Sequence, residues 1–212
     1  MQLDISSSEV TTLSAAAFEF TNSWFDGAAK KNWDTLLLKV NPSKLMEVGS
    51  YEGASACYIM QKLASERPIE LHCVDTWDNQ TQPIEARFDK NVRLAQASAK
   101  HPVTLKKHKG FSDKILCQLL TEGQAGSFDW IYIDGSHVAS DVLFDTVLAF
   151  RLLKVGGVMA FDDYLWQTKD TSYIDPVLCP KSAIDAFTTI YCQKIKILRL
   201  PLYQLYVKKT AE

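Results

Sequence analysis

Acidic side chains follow two apolar runs of the chain at the points where the runs end. One run ends in Asp134, with His137 three residues later, and a later run ends in Asp162 and Asp163. Neighbouring carboxylates repel unless a proton or a cation lies between them, and all-oxygen ligands suit a hard divalent ion such as Mg²⁺. A histidine nearby can accept a proton near neutral pH. We predict a metal site with His137 as its base; the alternative is a set of helix caps and solvated loop charges.

A glycine-containing turn follows an earlier apolar run. Glu47, Gly49 and Gly53 are spaced as E-x-G-x-x-x-G, which differs from the G-x-G-x-x-G of dinucleotide-binding proteins. Glycine lets the main chain approach a ligand closely, and free N–H groups at the start of a helix favour an anionic group. The carboxylate of Glu47 would repel a pyrophosphate but attract an ammonium or a sulfonium. We predict a cofactor loop here, with a purely structural turn as the alternative.

Two further strand ends carry candidate ligand-binding residues. Asp75 lies 22 residues after the glycine turn, close to the roughly 20-residue spacing at which a carboxylate binds ribose hydroxyls. Its alternative role is to cap the next segment together with Thr76. The next run is followed by Gly110, Phe111 and Ser112, where Phe111 could press on an adenine and Ser112 could cap a helix. Phe111 in the core is the alternative.

Short apolar runs that alternate with amphipathic stretches position all of these residues. The pattern predicts strands over 44–48, 70–75, 103–108, 130–134 and 157–161, and helices over 53–65, 83–100, 112–120 and 140–153. This alternation predicts a parallel sheet, whose ligands bind beyond the carboxyl ends of the strands. Two last runs, 194–200 and 202–207, are too close for a helical crossover and predict an antiparallel hairpin at the sheet edge.

The first forty residues have a helical pattern instead. Residues 6–8 can cap an apolar series that includes Val10, Leu13, Ala17 and Phe20, and a second helix is predicted from Asp26 to Val40. We assign residues 1–41 to an N-terminal helical segment that packs on the core, and 42–212 to the ligand-binding domain.

Composition bounds the classes of protein and partner. Of 212 residues, 47% are hydrophobic and only 9 are glycine and 7 proline, which predicts one globular domain. With a net charge of −2, the chain lacks the excess of positive charge that binds nucleic acid or an anionic membrane, so a small-molecule partner is expected. Residues 1–8 lack the basic and apolar segments of a secretion signal, and a cytoplasmic location is expected. Homo-oligomerisation is left open.

Five motifs in order resemble the class I S-adenosylmethionine-dependent methyltransferases. They read LMEVGSYEGASACYI, CVDTW, GFSDKI, WIYIDGSHVASDV and GGVMAFDDYLW. More narrowly, the pairing of IDG with GGxxxxDDY resembles the group that contains the macrocin-type sugar O-methyltransferases. The resemblance covers residues 42–207. It implies an α/β fold, namely a Rossmann-like, doubly wound, seven-stranded, mostly parallel sheet with an antiparallel last strand, flanked by helices.

The resemblance also implies a ligand set. S-adenosylmethionine is the implied cofactor, and a metal is implied at Asp134, Asp162 and Asp163. Relatives often carry D-x-D after the fourth strand, with the second acid as proposed base, whereas this chain has Ser136 there; His137 is the candidate substitute. The residues implied by the resemblance and those at the strand ends together make up the predicted cofactor contacts. They are Glu47, Gly49, Ser50, Tyr51, Gly53, Ser55, Asp75, Thr76, Gly110, Phe111, Ser112 and Asp134.

The leading hypothesis is metal-assisted methyl transfer to a hydroxyl of a small vicinal diol, sugar or catechol. His137 and Asp134 are the predicted catalytic residues, and residues 164–180, with Trp166 and Tyr173, are predicted to form a lid. A nicotinamide-dependent oxidoreductase is a second hypothesis, against which Glu47 and the missing third glycine argue. A third is a non-catalytic methyltransferase-like binding protein whose interaction surface is formed by aromatic residues of the N-terminal segment. These residues are Phe18, Phe20, Trp24, Phe25 and Trp33.

Overall fold

The structure, a computed structural model, describes residues 17–167 and 175–212. Its strands are β1 (Lys44–Val48), β2 (Ile69–Asp75), β3 (Val103–Lys109), β4 (Phe128–Ile133), β5 (Leu153–Phe161), β6 (Ile195–Leu198) and β7 (Leu205–Lys209). Its helices are α1 (Ala28–Val40), α2 (Ala54–Leu63), α3 (Ile84–Ser98), α4 (Ser112–Thr121), α5 (Ala139–Leu152) and α6 (Pro180–Ile190). Two short 3₁₀ helices cover Trp24–Asp26 and Pro176–Leu178.

One seven-stranded sheet runs through the molecule in the order β3-β2-β1-β4-β5-β7-β6. The first five strands are parallel, and β7 is antiparallel to both β5 and β6. The predicted doubly wound fold and the terminal hairpin are therefore confirmed, with β6 rather than β7 at the edge. The strand order reverses between β1 and β4, and a ligand-binding crevice is expected beyond the carboxyl ends of these two strands.

Helices cover both faces of the sheet. Side chains alternate along a strand, so Trp130 and Tyr132 of β4 face the layer of α1, α2 and α3, where they pack with Trp33. Ile131 faces the layer of α4, α5 and α6 and belongs to the core that includes Phe187. In the described part of the chain, no helix is both long and apolar enough to span a bilayer.

The N-terminal region differs from its prediction. Residues up to 16, with most of the first predicted helix, lie outside the described residues, while 17–20 are not helical. The second helix begins at Ala28 rather than Asp26, because Gly27 takes a non-helical conformation after the 3₁₀ turn. Side chains of the core hold the segment instead: Asn91 accepts a hydrogen bond from the backbone N–H of Glu19 over 2.7 Å.

The periodic pattern did not predict helix α6. It begins with Pro180, a residue whose fixed φ suits the first position of a helix. Its core contacts include Ile184 and Phe187, which pack against the α5 side of the sheet.

Candidate active site

The parallel register brings three chain segments together at the carboxyl edge of the sheet. Backbone hydrogen bonds continue one residue beyond the strands: Gly49 N–H donates to Val74 O over 2.8 Å, and Asp134 N–H donates to Val48 O over 2.8 Å. Asp162 N–H donates in the same way to the carbonyl of the residue before Asp134, over 2.9 Å. The glycine turn, Asp134 and Asp162 are thus neighbours. A cavity of about 1530 Å³ opens over them.

Gly49 is where the glycine turn meets the segment that follows β4. Its φ is +88°, and a Cβ atom there would overlap the backbone carbonyl of Asp134. Only glycine allows this approach, since any side chain would push the two segments apart. The glycine turn and the acidic residues after β4 therefore form one continuous wall.

Asp75 organises the backbone of the glycine turn. Its Oδ2 accepts hydrogen bonds from the N–H groups of Ser50 and Tyr51, over 2.9 and 2.8 Å, and its Oδ1 accepts one from Trp77 over 2.7 Å. It caps no helix, because α3 begins only at Ile84. Oδ2 therefore uses both of its lone pairs, whereas Oδ1 keeps one, and contact of Oδ1 with a ribose hydroxyl stays a prediction.

Glu47 lies buried beneath the turn. Its Oε2 accepts a hydrogen bond from the Ser55 hydroxyl over 2.7 Å, whereas its Oε1 and the buried Ser50 hydroxyl find no partner among the described residues. Burial raises the pKa of the Glu47 carboxyl to about 7. Burial disfavours the ionised carboxylate, and a positive charge held close to the turn would favour it. The turn therefore fits a cationic ligand.

Most of the predicted cofactor residues line the cavity. They are Gly49, Ser50, Tyr51, Ser55, Asp75, Thr76, Gly110, Phe111, Ser112 and Asp134. Glu47 and Gly53 lie outside this lining. Phe111 is 64% exposed at the rim rather than in the core. Ser112 is the first residue of α4 and makes no capping hydrogen bond, because Phe111 occupies the N-cap position.

Asp134, Asp162 and Asp163 form a cluster at the other end of the cavity. One carboxylate oxygen from each lies within 4.8 Å of the other two. Burial raises the pKa of Asp134 well above its usual range, and the negative charges of Asp162 and Asp163 raise it further. Burial also raises the pKa of Asp162, with Asp163 adding to the effect. Three oxygen ligands under mutual repulsion fit a hard divalent cation.

Two tyrosines hold this acidic cluster. The Tyr132 hydroxyl lies 2.5 Å from Asp162 Oδ2 and 3.0 Å from Asp134 Oδ2, and the Tyr203 hydroxyl donates to Asp163 Oδ1 over 3.0 Å. Neither was predicted. The two-residue spacing of Tyr132 and Asp134 was a usable signal, because the strand pairing continues one residue beyond β4 and places both on one face. Tyr203 reaches in from the connection between β6 and β7, which no local pattern reveals.

His137 lies beside the cluster, as predicted. Its Nε2 is 2.7 Å from Asp163 Oδ2, and its ring packs on Trp166 with 4.3 Å between the ring centroids. Of the two aromatic residues of the predicted lid, Trp166 therefore lies next to the site, whereas Tyr173 lies outside the described residues. A partly exposed imidazole oriented by a carboxylate can accept a proton from a ligand in the cavity.

Aromatic residues of the N-terminal segment form a third wall. Phe20, Trp24 and Phe25 line the cavity, and Trp24, 77% exposed, packs on Tyr51 with 5.5 Å between ring centroids. The segment is held in place by Glu52, which accepts hydrogen bonds from the backbone and the hydroxyl of Thr21 over 2.7 and 2.9 Å.

Residues 46–164 match a sequence family described as "Methyltransferase domain", which is more than half of the chain. The chain belongs to this methyltransferase family. The resemblance carried by the five motifs is therefore confirmed, and the family favours methyl transfer over the nicotinamide hypothesis.

Curated relatives of this methyltransferase-family chain come from Dictyostelium discoideum. "Probable caffeoyl-CoA O-methyltransferase 3" is 26% identical over 153 residues, which cover 70% of the chain and 55% of the relative. "Probable caffeoyl-CoA O-methyltransferase 1" is 26% identical over 131 residues, covering 61% and 52%. The chain spans about half the length of these relatives.

Solved structures share the fold. An O-methyltransferase from Bacillus cereus in complex with SAH aligns with a TM-score of 0.64 at 17% identity, covering 92% of this chain and 84% of that one. The O-methyltransferase TomG from Streptomyces achromogenes, in complex with SAM, aligns with a TM-score of 0.63 at 16% identity, covering 86% and 79%. These alignments confirm the Rossmann-like methyltransferase fold.

Proposed function

We propose that this protein transfers a methyl group from S-adenosylmethionine to a hydroxyl oxygen of a small molecule, with a divalent cation at the acidic cluster. The observation that carries the proposal is the close contact between Gly49 and Asp134, which places the glycine turn and the cluster in one cavity. The relatives named O-methyltransferases support oxygen as the methylated atom.

The glycine turn is the proposed cofactor site. S-adenosylmethionine, when bound, supplies a methyl group activated on a positively charged sulfur. The carboxylate of Glu47 beneath the turn would attract its ammonium group, and the remaining lone pair of Asp75 Oδ1 suits a ribose hydroxyl. Phe111 at the rim offers an aromatic face to its adenine.

Asp134, Asp162 and Asp163 are the proposed metal ligands. Mg²⁺ there would act as a Lewis acid and lower the pKa of an acceptor hydroxyl. His137 would take the proton that this hydroxyl loses, with its ring oriented by Asp163. Asp163 Oδ2 is hydrogen-bonded to His137, and Asp163 Oδ1 accepts a hydrogen bond from Tyr203. Each oxygen therefore has one lone pair left for a ligand.

The size of the cavity supports simultaneous binding of two ligands. Its volume, about 1530 Å³, exceeds the roughly 300–1,000 Å³ that a pocket for one drug-sized ligand occupies. Holding two reactants in line lowers a barrier by about 7 to 11 kcal/mol, so positioning supplies much of the catalysis. Trp24, Tyr51 and Trp166 give the acceptor apolar surfaces, which suits a catechol or another vicinal diol with an apolar face.

Thermal unfolding with added ligands tests the proposal. A ligand at 100 times its Kd stabilises a protein by about 2.7 kcal/mol. We expect stabilisation by S-adenosylmethionine and by its demethylated product, and a further increase with Mg²⁺ that EDTA removes. NAD is the control ligand. Stabilisation by NAD alone would contradict the methyltransferase proposal, and a lack of any Mg²⁺ effect would remove the metal from it.

A further inference from the structure

Tyr132 places a phenol between two of the proposed metal ligands. The side chain is only 1% exposed, and its hydroxyl lies 2.5 Å from Asp162 Oδ2 and 3.0 Å from Asp134 Oδ2. A phenol has one hydrogen, which points at the pair of acidic oxygens when the phenol oxygen itself accepts a hydrogen bond from elsewhere.

Such a donor is present behind Tyr132. Gln204 donates from its Nε2 to the Tyr132 hydroxyl oxygen over 3.4 Å, and the Tyr206 hydroxyl donates to Gln204 Oε1. Both Gln204 and Tyr206 are 1% exposed. The hydrogen bonds therefore run in one direction, from Tyr206 through Gln204 and Tyr132 to Asp162. This order fixes the Gln204 amide and turns the Tyr132 hydrogen toward the carboxylates.

We propose that Tyr132 is a positioning residue that holds one oxygen of Asp134 and of Asp162 and thereby presents the second oxygen of each to a divalent cation. The inference rests on the proposed metal role of the cluster. Two neighbouring carboxylates repel each other, and without the phenol they would have to be brought together when the cation binds. Groups that orient metal ligands typically raise metal affinity by 10- to 100-fold.

The test is direct titration with Mn²⁺, by calorimetry, of the full chain without acceptor. Tyr132→Phe removes the hydroxyl that contacts the carboxylates. Tyr206→Phe is the matched control, because it removes an equally buried hydroxyl of the same network that touches no carboxylate. We expect Tyr132→Phe to weaken Mn²⁺ binding about 10- to 100-fold. Tyr206→Phe should change it by less than about threefold, and both variants should bind S-adenosylhomocysteine like the wild type.

The outcomes separate this inference from the proposed function. Wild-type protein that binds no Mn²⁺ would overturn both the inference and the metal role in the proposed function. A wild type that binds Mn²⁺, with Tyr132→Phe binding equally or more tightly, would overturn the positioning role alone. Equal losses in the two variants would also overturn it, since a general packing effect would explain them. Should Tyr132→Phe not fold, Gln204→Leu is expected to weaken Mn²⁺ binding roughly 3- to 10-fold, and wild-type affinity would contradict the inference.

Discussion

The two ends of the cavity are built in different ways. At the glycine turn the Asp75 carboxylate binds backbone N–H groups, and Gly49 approaches a backbone carbonyl. At the acidic cluster the contacts join side chains from distant parts of the chain, such as Tyr203 with Asp163. A backbone-built site is tied to the fold, so damage there affects binding and stability together. A site built from side chains can lose its chemistry while the fold remains.

Gly49→Ala should have the largest effect. The added Cβ would overlap the Asp134 carbonyl, and the backbone would keep an unfavourable positive φ. We expect loss of S-adenosylhomocysteine binding and a clearly lower melting temperature. Gly123→Ala is the control, because Gly123 also has a positive φ, +78°, but nothing lies within 4 Å of a Cβ there. If the two variants behaved alike, the tight contact at Gly49 would not matter for binding.

Asp162→Asn should break the acidic cluster without damage to the glycine turn. The variant loses one of the proposed anionic metal ligands, and a Lewis acid contributes several kcal/mol, so Mg²⁺-dependent turnover should fall about 10³-fold. Affinity for S-adenosylhomocysteine, measured by calorimetry, should stay within about threefold. Asp141→Asn, which changes an acid bonded to Ser136 outside the cluster, should leave turnover near the wild-type value. Loss of cofactor affinity in Asp162→Asn would show that the two ends are not separable.

The same contrast explains what the sequence alone could predict. Strand ends with glycine and acid at fixed spacing predicted the sheet, β1 with its exact bounds, and most residues of the glycine turn that line the cavity, because these depend on local backbone geometry. Tyr203 and the aromatic wall around Trp24 could not be placed, since only the tertiary fold brings them to the cavity. Residues 17–20, the described end of the first predicted helix, are not helical for a similar reason: tertiary hydrogen bonds from Glu19 to Asn91 and from Thr21 to Glu52 hold this part of the chain.

Glu47→Gln should sharpen the contrast through pH. Burial raises the pKa of Glu47 from 4.5 to about 7 in the folded protein. Below pH 4.5 the carboxyl is protonated in both the folded and the unfolded state, and its contribution to stability is fully present. As the pH rises from 4.5 to 7, the unfolded state ionises first and the folded protein loses this stability. Removing this group should stabilise the ligand-free protein above pH 7 by about 3 kcal/mol, and the difference should vanish near pH 4. Denaturant unfolding at several pH values measures this, with the exposed Glu66→Gln as control. If the free energies of unfolding of Glu47→Gln and the wild type differed by the same amount at every pH, ionisation of the buried carboxyl would not be the cause.

His137→Gln should have the smallest of these effects. A positioned general base contributes 10²-fold or more, so kcat should fall about 10²-fold while KM and cofactor affinity change little. Ser136→Ala, one residue away, should retain turnover. Full activity of His137→Gln across the pH range would show that another group takes the proton.

The most direct test of the central claim, that one cavity holds the methyl donor and a metal-bound acceptor, is transfer of labelled methyl from S-adenosylmethionine. Catechols and vicinal-diol sugars serve as acceptors, with Mg²⁺ or with EDTA. We expect labelled O-methyl product with Mg²⁺, and its loss both in EDTA and in Asp162→Asn. Equal product formation in EDTA, or no transfer to any hydroxyl acceptor, would contradict the claim.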